Sequence, residues 1–100
     1  MRRKIVVRRI AEAELSEAYA WYELYAPGVG ERFLDQFSNA AHAIAESPLR
    51  WPVYHHQVRR YVMADFPFVI YFDLRPDSVR ILRVVHTSKD PGPVRDLLPE

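Results

Sequence analysis

The sequence predicts an α+β fold with the element order β-α-α-β-β-β, a helical hairpin packed on one face of a largely antiparallel four-stranded sheet. Three observations carry this expectation. Apolar residues recur at helical spacing from residue 12 to residue 46, β-branched and aromatic runs replace that period after Pro48, and the connections between successive elements are short. At 100 residues, with 49% hydrophobic and 13% aromatic composition, the chain suits one core. Residues 1–100 are expected to form a single domain.

Ile5, Val6 and Val7 make a β-branched run within residues 4–9, the first strand. Leu15, Ala18, Tyr19, Tyr22 and Tyr25 then fall on one helical stripe, with Glu12, Glu14, Glu17 and Glu23 mostly on other faces. Pro27-Gly28 stops this helix. A second stripe follows at Phe33, Leu34, Phe37, Ala40, Ala41 and Ile44, ending before Pro48. The short join between the two makes them an antiparallel hairpin. Residues 58–66, 68–74 and 78–86 are rich in Val, Ile, Tyr and Phe. Pro67 and the Arg75-Pro76-Asp77 turn separate them, so consecutive antiparallel hairpins are expected. Strict alternation puts Val79, Ile81, Arg83 and Val85 on one side of the last strand, and Arg80, Leu82, Val84 and His86 on the other. The proline-rich tail from about residue 91 is expected to have no regular structure.

The net charge of +1 hides a segregation. Residues 1–9 hold five basic side chains and no acid, residues 10–47 hold seven acids against Arg32 alone, and residues 48–100 hold eight basic and six acidic residues. Acidic helices therefore lie between basic strands, and the sheet is where a basic surface should be sought.

Composition excludes several classes. The absence of cysteine removes disulfide scaffolds, thiol nucleophiles and Cys-based zinc sites, and agrees with a reducing cytoplasm, the expected location. No apolar run approaches the roughly eighteen residues of a membrane span, so no membrane partner is expected. The basic start lacks the apolar stretch of a signal peptide. Three glycines supply no nucleotide-binding motif, and no Ser-His-Asp order stands out. No cofactor is expected.

The candidate functional residues are basic. Arg59 and Arg60 are strand neighbours and must point to opposite faces, so one of them can join Arg83, His86 and Lys89 in a patch for phosphate or an acidic partner. The competing interpretation is a solvated edge whose arginines discourage sheet-to-sheet pairing. His86 can serve as general acid or base, but a strand-end histidine tied to a turn is the favoured interpretation. His55 and His56 should diverge along an extended segment, and no carboxylate stands at chelating distance, so no metal is expected. Trp21 lies off the main stripe, either capping the hairpin or open to a partner. Trp51 should pack the crossover onto the core, and the Tyr19, Tyr22, Tyr25 row should be core. From chemistry alone no enzyme class emerges.

A resemblance adds to this. The words Leu15-Ser16-Glu17-Ala18-Tyr19-Ala20-Trp21-Tyr22-Glu23, Pro27-Gly28, Gly30-Glu31-Arg32-Phe33 and Ile44-Ala45-Glu46-Ser47-Pro48 occur in order in the helical half. Val58-Arg59-Arg60, Phe66-Pro67-Phe68, Ile70-Tyr71 and Ile81-Leu82-Arg83-Val84-Val85-His86, leading to Asp90-Pro91, follow in the strands. In order and spacing the chain resembles the RelE/ParE toxins of bacterial type II toxin–antitoxin modules, over nearly its whole length. That family's fold agrees with the element order read above.

RelE-type members cleave messenger RNA on the ribosome with a basic cluster and a late Tyr or His. Matched residue by residue, Arg60 takes one strand-two basic position, but its partner falls at Val62. The arginine after the turn aromatic falls at Val69, the late arginine near Ser88 or Lys89, and the terminal Tyr near Val94. The stretch from Arg83 to His86, Thr87 and Ser88 looks closer to ParE-type members, which lack the catalytic set and poison DNA gyrase. The resemblance thus implies a ParE-like toxin of the plasmid-stabilisation kind, a binding poison rather than an enzyme. Two alternatives stay open: a RelE-like endoribonuclease acting on the ribosome and mRNA through Arg60, Arg83, His86 and Lys89, and a degenerate, non-toxic member that still binds antitoxin. All three imply a cognate antitoxin and a hetero-oligomer with it, its flexible half folding onto the helical hairpin, with Trp21 and Tyr25 as candidate contacts. An acidic antitoxin segment is expected on the basic ends, against Arg59, Arg60, Arg83, His86 and Lys89.

Overall fold

The computed structural model describes residues 3–88. Strand β1 (Lys4–Val7) leads into helix α1 (Arg9–Tyr25), then α2 (Val29–Glu46) and a 3-10 turn (Pro48–Arg50). Strands β2 (Val53–His55), β3 (Val58–Val62), β4 (Phe68–Leu74) and β5 (Ser78–His86) complete a sheet of order β1-β5-β4-β3-β2. Only the β1–β5 pair is parallel. The predicted hairpin-on-sheet architecture is therefore present, with one strand more than the four expected.

That strand is β2, three exposed residues read from sequence as crossover. It is held by pairing with β3 rather than by any apolar pattern of its own. The expected strand at 58–66 stops at Val62, because the Met63 N–H donates to the Phe68 carbonyl at 3.0 Å and turns the chain there. Phe66 instead carries its ring into the core, 5.4 Å from Phe33 and 5.1 Å from Tyr22 between centroids. α1 starts at Arg9, earlier than its apolar stripe suggested, as the Glu12 N–H bonds the Arg8 carbonyl.

The main core lies between helices and sheet, with Phe33, Ile44, Ile70, Phe72, Val79 and Ile81 fully buried. A smaller cluster of Val58, Val69, Tyr71, Leu82 and Val85 occupies the helix-free face. That division corrects the strict alternation expected of β5. Phe72 pairs with Ile81 and Tyr71 with Arg83, so Leu82 is an extra residue, a bulge. Beyond it Val84 rejoins the helix-side core, and Val85 joins Leu82 on the other face.

The tyrosine row is also corrected. Tyr22 packs against the core, Tyr19 is half-buried and Tyr25 is 76% exposed. Each step of three residues slips the row by about 60° around a helix of 3.6 residues per turn, so it leaves the buried face by Tyr25. Trp51 behaves as expected, packing against the core with its ring 5.0 Å from that of Tyr61. His55 and His56 do not diverge. His56 takes φ 52° in the β2–β3 turn, and the two rings lie 4.4 Å apart, tilted by 31°.

Candidate functional site: a groove between the first helix and the end of the last strand

β1 accompanies β5 only from Ser78 to Ile81. The chain then turns into α1, which runs over the remaining length of β5. A groove of about 720 Å³ opens between them. Its helical wall is Glu14, Glu17, Ala18, Trp21, Tyr22 and Tyr25, a stripe at steps of one, three and four. Residues 83–86 and Ser88 line the other side, and Pro67, Phe68 and Val29 close the end.

The upper wall is an exposed aromatic surface. Trp21 is 62% exposed and stacks on Tyr25 with the rings 3° from parallel and 6.1 Å apart. Leu24 beside them is 88% exposed. Large apolar side chains left open at one end of a helix mark an interaction surface more than a fold requirement. Tyr22, behind them, makes ring contacts with Phe33, Phe66 and Phe68, and burial pushes its phenol above the usual tyrosine range.

The lower wall is electrostatic. Arg83 donates through Nε and a terminal nitrogen to one Glu14 carboxylate oxygen, at 2.9 and 2.7 Å. The second oxygen accepts the backbone N–H of Val84 at 2.9 Å. One carboxylate from the acidic helix thus binds both a cation and a backbone group of the basic strand, and the charge blocks seen in sequence meet here. Charge-assisted bonds of this kind are the strong ones. His86 lies one step further along β5. Its Nδ1 accepts the Ser88 N–H at 3.1 Å and lies 2.8 Å from Ser88 Oγ, and its ring meets Phe68 edge-on.

The predicted basic residues are not all brought together. Arg83 and His86 share the groove. Arg59 and Arg60 sit on β3, separated from β5 by β4. Arg59 donates to the Trp51 carbonyl at 2.6 Å, while Arg60 lies on the helix-free face, 4.8 Å over the ring of Tyr54 and paired in register with Tyr71. Lys89 and the expected tail lie outside the described residues. Of the two helical candidates, Trp21 and Tyr25 both line the groove.

Sequence reasoning passed over Glu14, Leu24, Pro67 and Phe68. Glu14 was detectable in part, since it stands four and seven residues before Ala18 and Trp21 on one helical stripe. Its link to Arg83, 69 residues away, was not. Among the described residues no helix is long and apolar enough to cross a membrane, and no three His, Asp or Glu side chains group to hold a metal ion.

Comparison with known proteins agrees with this architecture. The family model for the ParE toxin of type II toxin-antitoxin system, parDE, matches residues 5–91. Among solved structures, a chain of the chromosomal ParDE TA system from P. aeruginosa superposes with a TM-score of 0.75 at 18% sequence identity. The match covers 84% of this chain and 95% of that one, and at this identity the likeness is one of fold. No curated protein sequence matches the chain.

Proposed function

The chain belongs to the family of ParE toxins of type II toxin–antitoxin systems, and from that premise we propose that it acts by binding and poisoning DNA gyrase and is neutralised by a cognate antitoxin seated in the α1–β5 groove. The observation that carries the antitoxin part is the groove itself. It pairs an exposed aromatic surface at Trp21 and Tyr25 with a strand end that extends past its neighbour β1. A segment that folds on binding needs such a combination, apolar contacts for affinity and backbone groups for register.

The placement of the basic residues favours a binding poison over a ribonuclease. Phosphodiester cleavage needs its cations and its proton-transfer group converging on one phosphate. Arg60 is held against Tyr54 on the helix-free face, whereas Arg83 is held by Glu14 of α1 beside His86. Tyr71 of β4 stands between them in one cross-strand row, and each guanidinium is held by its own partner. Purified chain added to gyrase and supercoiled plasmid should accumulate double-strand breaks, and its induction in cells should arrest growth with DNA-damage signalling. Co-expression of a cognate antitoxin should restore growth. Codon-phased cleavage of messenger RNA without gyrase-linked breaks would overturn the gyrase target in favour of the ribosome.

A further inference from the structure

The Glu14 carboxylate does more than pair with Arg83, because it also occupies a rung of the sheet. β1 makes its last hydrogen bond to β5 when the Arg8 N–H, just past its end, donates to the Ile81 carbonyl at 3.0 Å. Outward-facing backbone groups recur every second residue along a strand, and the Leu82 bulge shifts the next of them to Val84. That N–H is taken by a side chain, Glu14, rather than by a strand. A sheet edge capped this way is closed only as firmly as one rotatable side chain closes it.

Resting on the groove as the seat of the antitoxin, we propose that Glu14 holds the place of a partner strand. An incoming extended segment pairs with β5 at residues 84–86, displaces Glu14 from the Val84 N–H, and supplies its own carboxylate to Arg83. Charge decides the chemistry of the segment. Glu14 is on a helix flank, its side chain 22% exposed, and can swing outward to water, where a carboxylate is well solvated. Arg83 is fixed on the strand with its side chain 20% exposed, placed to receive a carboxylate of the incoming segment in Glu14's stead. The aromatic wall of Trp21, Tyr22 and Tyr25 fixes the rest of the pattern. Side chains of a strand alternate, so apolar residues facing that wall should flank the acid. The pairing region spans about 10 Å at roughly 3.3 Å per residue, a short augmentation.

Two capped peptides of about ten residues test this, one alternating Val and Glu, the other Val and Lys. Each is titrated into the nitrogen-15-labelled full chain, following the Val84 amide and the Arg83 Nε–H. The acidic peptide should shift both signals and bind about tenfold more tightly than the basic one, one charge-assisted contact's worth. Glu14→Gln keeps an oxygen for Val84 but weakens the hold on Arg83, and should raise the acidic peptide's affinity severalfold with an unchanged circular-dichroism spectrum. Equal binding of the two peptides, an unmoved Val84 amide, no binding by either, or a Glu14→Gln variant that binds more weakly would each overturn the proposal. Toxicity and its rescue by antitoxin are read in cells, so failure of the peptides and failure of the toxin assignment are separate results.

Discussion

The Glu23 carboxylate on α1 accepts the backbone N–H of Gly30 at 2.7 Å and that of Gly28 at 2.9 Å, so the first helix caps the second. α2 has no side-chain cap of its own, since its N-cap is Gly28 at φ 89°, a conformation that suits glycine. A carboxylate at this end also meets the positive pole of the helix. Glu23→Ala should lower stability by about 1–2 kcal/mol, the usual range for a lost cap. Gly30→Ala should cost more, because a Cβ there would stand 2.6 Å from the Tyr19 carbonyl oxygen, a backbone atom with little freedom to retreat. Urea denaturation of the two variants checks the order; a Gly30→Ala protein as stable as the parent would remove the close helix approach from the account.

On the helix-free face Asp73 and Arg80 join β4 to β5 through two hydrogen bonds, Nε to Oδ1 at 2.9 Å and a terminal nitrogen to Oδ2. Both side chains are largely buried, at 9% and 17% exposure. Removing one member of such a pair strands the other's charge. Asp73→Ala should therefore cost about 3 kcal/mol, whereas replacing both residues by aliphatic side chains should recover most of that loss. A double-mutant cycle by chemical denaturation separates the pair from its surroundings. Full additivity of the two single changes would show that the pair contributes no coupling.

Tyr22 gives the chain a dependence on alkaline pH. Burial holds its phenol above the ordinary value of 10.0, so the folded protein keeps that proton where the unfolded chain loses it. The native state then binds more protons than the unfolded state, and stability falls as pH rises through the unfolded value toward the folded one; below it this contribution is fully present. Absorbance titration should show a late tyrosinate component, and Tyr22→Phe should remove its share of that component and lessen the alkaline loss of stability. Unchanged titration in Tyr22→Phe would assign the late proton elsewhere.

Local physics made part of this molecule legible in its sequence. Residues 68–74 and 78–86 were read as strands with the bounds they have, because β-branched runs there end at Pro67 and at the Arg75-Pro76-Asp77 turn. Trp21 was marked by being large, aromatic and off the buried stripe. What was not legible depends on contacts distant in sequence. β2 exists by pairing with β3, and the Leu82 bulge shows only in the register of β4 against β5. Strand order places β4 between Arg60 and Arg83, and nothing in the spacing of the two arginines records that. The charge segregation was visible, but not that Glu14 would neutralise the arginine expected to face outward.

Charge reversal separates the two arginines. Arg60→Glu loses a cation–π contact with Tyr54 at an exposed strand position, and should change stability by no more than about 1 kcal/mol. Arg83→Glu sets a second carboxylate against Glu14 in a half-buried site, and should destabilise by about 3 kcal/mol or more. Thermal melts at low and high salt distinguish them, because screening relieves exposed charges far more than buried ones. Equal effects would mean that Arg83 is not held by Glu14 in solution.

Trp21 and Tyr25 carry the sharpest expectation for the antitoxin. Their side chains are mostly exposed, so Trp21→Ala and Tyr25→Ala should leave the melting temperature nearly unchanged. If they anchor the antitoxin, each removes a stacked aromatic of the kind that dominates interface energies, about 2 kcal/mol or more, and weakens the complex by roughly thirtyfold or more. In cells the same variants should stay toxic while escaping rescue, provided gyrase is contacted elsewhere. Calorimetric titration with the antitoxin, beside growth assays with and without it, reads both effects. Undiminished affinity in both variants would move the antitoxin out of this groove, and lost toxicity with retained affinity would assign the aromatic surface to the target instead.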